Sequence, residues 1–146
     1  MIKGKIYQKT AYFKKRGMTM SHWADNMMVE LSIPAEHLED AYQAMCAFDQ
    51  KREFGLSPIG FTQECTSAQE ILEYLRLATE IDDQSGNLRI IGFNGTMGDE
   101  EIFLNSIAPY VENDSYIEFI GEQYEMWRFH FVDGKMYYEE GYLSWG

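Results

Sequence analysis

The chain has 146 residues, is 45% hydrophobic, and contains nine Phe, ten Tyr and three Trp. That composition suits one globular domain that needs no disulfide or metal to fold, and it excludes an intrinsically disordered chain. With 24 acids against 12 bases the net charge is −12, which repels nucleic-acid phosphate and attracts basic surfaces, although an acidic surface also serves plain solubility.

The charge is unevenly placed. Lys3, Lys5, Lys9, Lys14, Lys15 and Arg16 precede the first acid, Asp25, so the remaining 130 residues hold six bases against all 24 acids, a net of −18. Residues 1–26 therefore read as a basic arm dotted with aromatics, and residues 27–146 as a single acidic domain. Tyr7, Tyr12 and Phe13 beside Lys14-Lys15-Arg16 give the basic-aromatic mix of single-strand binding. The plainer reading pairs the arm with the acidic body. The N-terminal run has lysines but no apolar core, so it is not expected to be a secretory signal. No apolar run approaches the ~18 residues of a membrane helix. Cys46 and Cys65 match no CxxC spacing and fit reduced thiols in a cytoplasmic protein.

In chain order, MMVELSIP reads as a strand. Pro34 then opens a helix, with Glu36, Glu39 and Asp40 in its first turns, where the dipole favours acids. Leu38, Ala41, Tyr42, Met45 and Phe48 form an amphipathic stripe to about Asp49. The stretch 50–66 has two glycines, a proline and no period, and reads as a long loop, either functional or mobile. Ser67 caps a second helix, with Glu70 completing a capping box and Ile71, Leu72, Leu75 and Ala78 on the buried face. DDQSGN ends it and LRIIGFN is a short strand. GTMGDEE turns into a third helix that Asp99 caps and Pro109 stops or kinks. The last forty residues read as a three-stranded antiparallel meander. Asp133-Gly134 gives the strongest hairpin signal, a type I′ turn.

That turn sets a register: Phe131 faces Met136, His130 faces Tyr137, Phe129 faces Tyr138 and Arg128 faces Glu139. Trp127, Phe129, Phe131, Met136 and Tyr138 then share the core face. A three-residue loop before it places Phe119 against Phe129 and Ile117 against Phe131. The polar face would carry two rows, Glu118–His130–Tyr137 and Ile120–Arg128–Glu139. A Glu–His–Tyr row is capable of acid–base chemistry, while the plainer reading is a solvated sheet face of complementary cross-strand pairs.

Other motifs fall away. GFNGTMG precedes a helix but lacks the Lys-Ser/Thr of a phosphate loop, and Asp99, Glu100 and Glu101 stand where phosphate would sit. His22, His37, Cys46, Cys65 and His130 show no metal-ligand spacing. Cys65, in the irregular loop, is the better of two weak nucleophile candidates. Asn94-Gly95-Thr96 matches a glycosylation acceptor that lacks a secretory context.

The runs GDEEIFLNSIAPYV, SYIEFIGE and MWRFHFVDGKMY resemble the C-terminal half of small acidic proteins carried by phages and mobile elements of gram-positive bacteria. The resemblance implies an accessory role, directed against a host system, and carries over no activity.

The expected fold is α+β: a mainly antiparallel sheet of four or five strands ending in the meander, with two or three helices on one face. The expected function is non-enzymatic: an acidic inhibitor that docks on a basic, nucleic-acid-handling protein, with no cofactor, no metal and no membrane. Its candidate binding residues are Glu118, Arg128, His130, Tyr137 and Glu139 on the sheet, and Asp99, Glu100 and Glu101 at the third helix. The alternatives are a small enzyme using Glu118, His130 and Arg128, and nucleic-acid binding confined to residues 3–16.

Overall fold

The computed structural model describes residues 2–8 and 22–143. Seven described strands form one sheet: β1 (Ile2–Gln8), β2 (His22–Ile33), β3 (Leu77–Ile81), β4 (Leu88–Met97), β5 (Tyr116–Gly121), β6 (Met126–Val132) and β7 (Lys135–Leu143), in the order β1-β7-β6-β5-β2-β4-β3. Every neighbouring pair is antiparallel. Three described α-helices, α1 (Leu38–Lys51), α2 (Ala68–Tyr74) and α3 (Glu100–Ser106), complete an α+β fold. The strands outnumber the four or five expected. Of the expected arm, Ile2–Gln8 pairs with β7 as an edge strand, while Lys14, Lys15 and Arg16 lie outside the described residues.

Strict alternation builds the core face. Leu31 and Ile33 of β2, Ile117 and Phe119 of β5, Trp127, Phe129 and Phe131 of β6, and Met136 of β7 are buried against Ala41 and Met45 of α1, Ile71 and Leu72 of α2, and Phe103 of α3. Phe119 stacks on Trp127 at 5.4 Å between ring centroids and meets Phe129 edge-on at 5.3 Å. Such pairs add about 0.5–1.5 kcal/mol beyond their area. In α1 the expected stripe is the inner face: Ala41 and Met45 are wholly buried, and Leu38, Tyr42 and Phe48 pack around them.

Helix ends follow local chemistry. A 3₁₀ turn at Ala35–His37 leads into α1. Ser67 accepts the Glu70 amide at the start of α2, while the Glu70 carboxylate reaches past Ser67 to the amide and hydroxyl of Thr66. Glu70 is thereby held below the usual carboxylate range. Asp99 occupies the cap position of α3 but makes no capping bond; its carboxylate is used elsewhere, as described below.

Two expectations are corrected. Ala78, read as the inner face of the second helix, lies on β3, because Arg76 takes a left-handed φ of 70° that ends α2 without a glycine. Within the meander, the β6–β7 register is as expected, but β5 is displaced by two residues: Phe119 faces Trp127, Ile117 faces Phe129 and Glu118 faces Arg128. The loop between them centres on Gln123, with Tyr124 at the left-handed position (φ 64°). An even displacement keeps each side chain on its face.

Candidate functional site

The face of the sheet turned away from the helices carries the rows Tyr116–His130–Tyr137 and Glu118–Arg128–Glu139. Glu118 therefore stands beside Arg128, not beside His130. Their pairing on adjacent strands makes one connected network. Arg128 Nε donates to Glu139 Oε1, and its Nη1 lies 3.5 Å from Glu118 Oε2. The guanidinium covers the Tyr116 ring at 5.4 Å. His130 faces carboxylate oxygens on both sides, with Nδ1 3.1 Å from Glu139 and Nε2 3.1 Å from Asp114. Glu118 and Glu139 are buried, while Arg128, His130 and Tyr137 are half-buried. Burial, then the charges of Glu30 and Glu118, pushes the Tyr116 phenol up, with Arg128 acting the other way.

Asp114 links this network to a groove of about 660 Å³, lined by residues 29–32 of β2, 89–91 of β4 and 112–115 before β5. The segment 112–115 is held in place by the Ser32 hydroxyl, which donates to Glu112 at 2.7 Å, and by the Asp114 amide, which donates to the Phe131 carbonyl at 2.7 Å. Glu30, Glu112 and Asp114 bring three exposed carboxylates to the groove. Its one base, Arg89, is paired with Glu80. Ile91, an exposed apolar residue, lines it, and the exposed Met28 precedes its lining residue Val29. Sequence reasoning missed this groove. Its walls lie about eighty positions apart in the chain, and the one local signal was Asn113-Asp114, a pair that tolerates the left-handed conformation Asp114 adopts (φ 69°).

The acidic run at α3 does not form a surface. Asp99, Glu100 and Glu101 are 1%, 1% and 7% exposed, so they present no charge to a partner. The Asp99 carboxylate accepts the amides of Leu56 and Ser57 at 2.8 and 2.6 Å. Glu100 accepts the Gly98 amide and pairs with Arg76. Burial outweighs both contacts and pushes its carboxyl up to about 7. The Cys65 thiol donates to the Phe61 carbonyl at 3.9 Å, and burial, then the charge of Glu70 and other neighbours, raises it. Among the described residues, no three His, Cys, Asp or Glu side chains converge to hold a metal ion, and no helix is long and apolar enough to cross a membrane. No family model, no curated protein and no solved structure matches the chain.

Proposed function

We propose that this protein works by binding, and that its polar sheet face and groove receive a basic surface of a protein partner in the cytoplasm. The observation that carries the reading is the groove itself: three exposed carboxylates, Glu30, Glu112 and Asp114, and one base already engaged by Glu80. Lys or Arg side chains on a partner would meet three exposed carboxylates, of which Asp114 also faces His130 and Glu112 also accepts the Ser32 hydroxyl, and long-range attraction to the −12 net charge would speed encounter. A partner that handles nucleic acid has such a surface, and an acidic protein seated there acts as an inhibitor. That agrees with the accessory role implied by the resemblance to phage and mobile-element proteins.

The enzymatic alternative is less well supported. Both His130 ring nitrogens face carboxylates of the protein's own chain, Glu139 and Asp114, and Arg128 spans that same Glu139 and Glu118. These groups are engaged with one another rather than aimed at an empty position where a substrate atom would sit.

The test uses purified basic nucleic-acid-binding proteins as probes and the double variant Glu30→Lys/Glu112→Lys. Binding should weaken about tenfold or more in the variant and fall as salt rises. Association that ignores both salt and charge reversal would refute the groove as the docking site.

A further inference from the structure

The segment after α1, residues 52–60, has no regular secondary structure, yet it is built around one buried side chain. Each of the five Arg52 N–H groups has an acceptor. Nε donates to Asp49 at 2.6 Å, Nη1 to the Phe54 carbonyl at 3.2 Å and to Asp99 at 3.5 Å, and Nη2 to the carbonyls of Ser57 and Pro58 at 3.1 and 2.8 Å. Asp49 further accepts the amides of Gly60 and Thr62 and the Thr62 hydroxyl. Burial alone would raise the Asp49 carboxyl; the bonds from Arg52, Thr62 and Gly60 outweigh it and hold it below the usual range. The rings of Phe61 and Phe103 lie 5.7 and 5.2 Å from the guanidinium carbon. Gly55, at φ 148°, lets the chain close on this centre: a Cβ there would meet Arg52 Nη1 at 2.1 Å.

This rigid frame turns apolar side chains outward. Phe54, Leu56 and Ile59 are 43%, 51% and 55% exposed, and Tyr74, whose ring stacks on Phe61 at 4.3 Å, is 49% exposed. Four large apolar residues on so short a stretch and its neighbour would gain by burial, and a preorganised loop loses little entropy when it docks. Exposed acids adjoin them in the chain: Glu53 precedes Phe54, Glu73 precedes Tyr74 and accepts the Thr79 hydroxyl, and Glu64 ends the turn after Phe61, with Lys51 and the half-exposed Arg76, which pairs with Glu100, as the bases nearby.

We infer that the Arg52-centred loop is a second docking surface, whose Phe54, Leu56 and Ile59 enter an apolar pocket rimmed by Lys or Arg on a protein partner. It rests on the proposed function only for the sign of the partner's charge, since the groove lies at the other end of β4, roughly 25 Å away at strand rise. The acidic rim argues for that occupant over the alternatives. A second copy brings the same acids and a net charge of −12, and an anionic lipid surface is repelled by them.

The probe is an amphipathic leucine–lysine peptide, with leucine–glutamate and serine–lysine peptides as controls. Amide shifts are mapped on the wild type and on Phe54→Ser/Leu56→Ser, whose changes lie on exposed side chains. The leucine–lysine peptide should shift residues 53–60 and 73–76, bind the double variant about tenfold more weakly, and exceed both controls. Shifts confined to 28–32, 89–91 and 112–115 would overturn this inference and leave the groove reading standing. No shift anywhere would overturn both. Equal binding of the leucine–glutamate peptide, a sedimenting dimer abolished by the double variant, or retention on phosphatidylglycerol vesicles would assign the loop to another occupant and overturn the proposal.

Discussion

Arg52 and Arg128 each stand between two acids, and their settings differ. Arg52, Asp49 and Asp99 have side chains no more than 1% exposed, while Arg128 is 30% exposed between Glu118 and Glu139. Arg128 lies on a strand whose backbone ladder already fixes its neighbours, so its ion pairs add to an existing order. Arg52 lies where the backbone has no ladder, and its donors replace one by binding the carbonyls of Phe54, Ser57 and Pro58. The same residue types thus reinforce an existing ladder on the sheet and supply the missing order in the loop. What separates the two roles is burial and the number of backbone groups each arginine engages.

Breaking the buried triad should have the largest effect. Arg52→Met leaves Asp49 and Asp99 in the interior without their cation and should cost about 3–5 kcal/mol, read by denaturant unfolding. Glu100→Gln sharpens the account through pH. The folded carboxyl, at about 7, sits above its ordinary 4.5, so between those values the folded state holds more protons than the unfolded one. Its stabilising contribution is complete below about pH 4.5 and is lost as pH rises through 7, a change of about 3 kcal/mol. The variant should match wild type near pH 4.5, exceed it at pH 8, and show a flatter profile in urea melts. Gly55→Ala places a methyl against Arg52 at a left-handed φ and should cost about 2 kcal/mol in the same melts. Arg128→Met should cost least, about 1 kcal/mol, because Arg128 itself is 30% exposed and Glu139 keeps His130 at 3.1 Å. Equal losses for Arg52→Met and Arg128→Met would erase the distinction.

How much of this was legible follows from where the chain marks its turns. Asp133 and Gly134 adopt φ of 53° and 78°, the conformation an Asp-Gly pair announces, so the β6–β7 register was readable residue by residue. The preceding loop uses Tyr124 at its left-handed position and α2 ends on Arg76 at another. Neither type advertises that conformation, so β5 was misplaced by two residues and β3 was read as helix. The polar face was readable as a face because alternation survives an even shift. The Arg52 centre was hidden: Asp49, Arg52 and Asp99 are residue types expected at the surface, and 47 positions separate the arginine from its second acid. Gly55 was the local clue, and a glycine in a loop signals many things.

The most direct test of the central claim, that an irregular loop is held as firmly as the core, is amide hydrogen exchange. The amides of Leu56 and Ser57, which donate to Asp99, and those of Gly60 and Thr62, which donate to Asp49, should exchange as slowly as those of Ile117 and Phe129 in the sheet, through global unfolding alone. Exchange as fast as at exposed Glu122 and Gln123 in the β5–β6 loop would contradict the account.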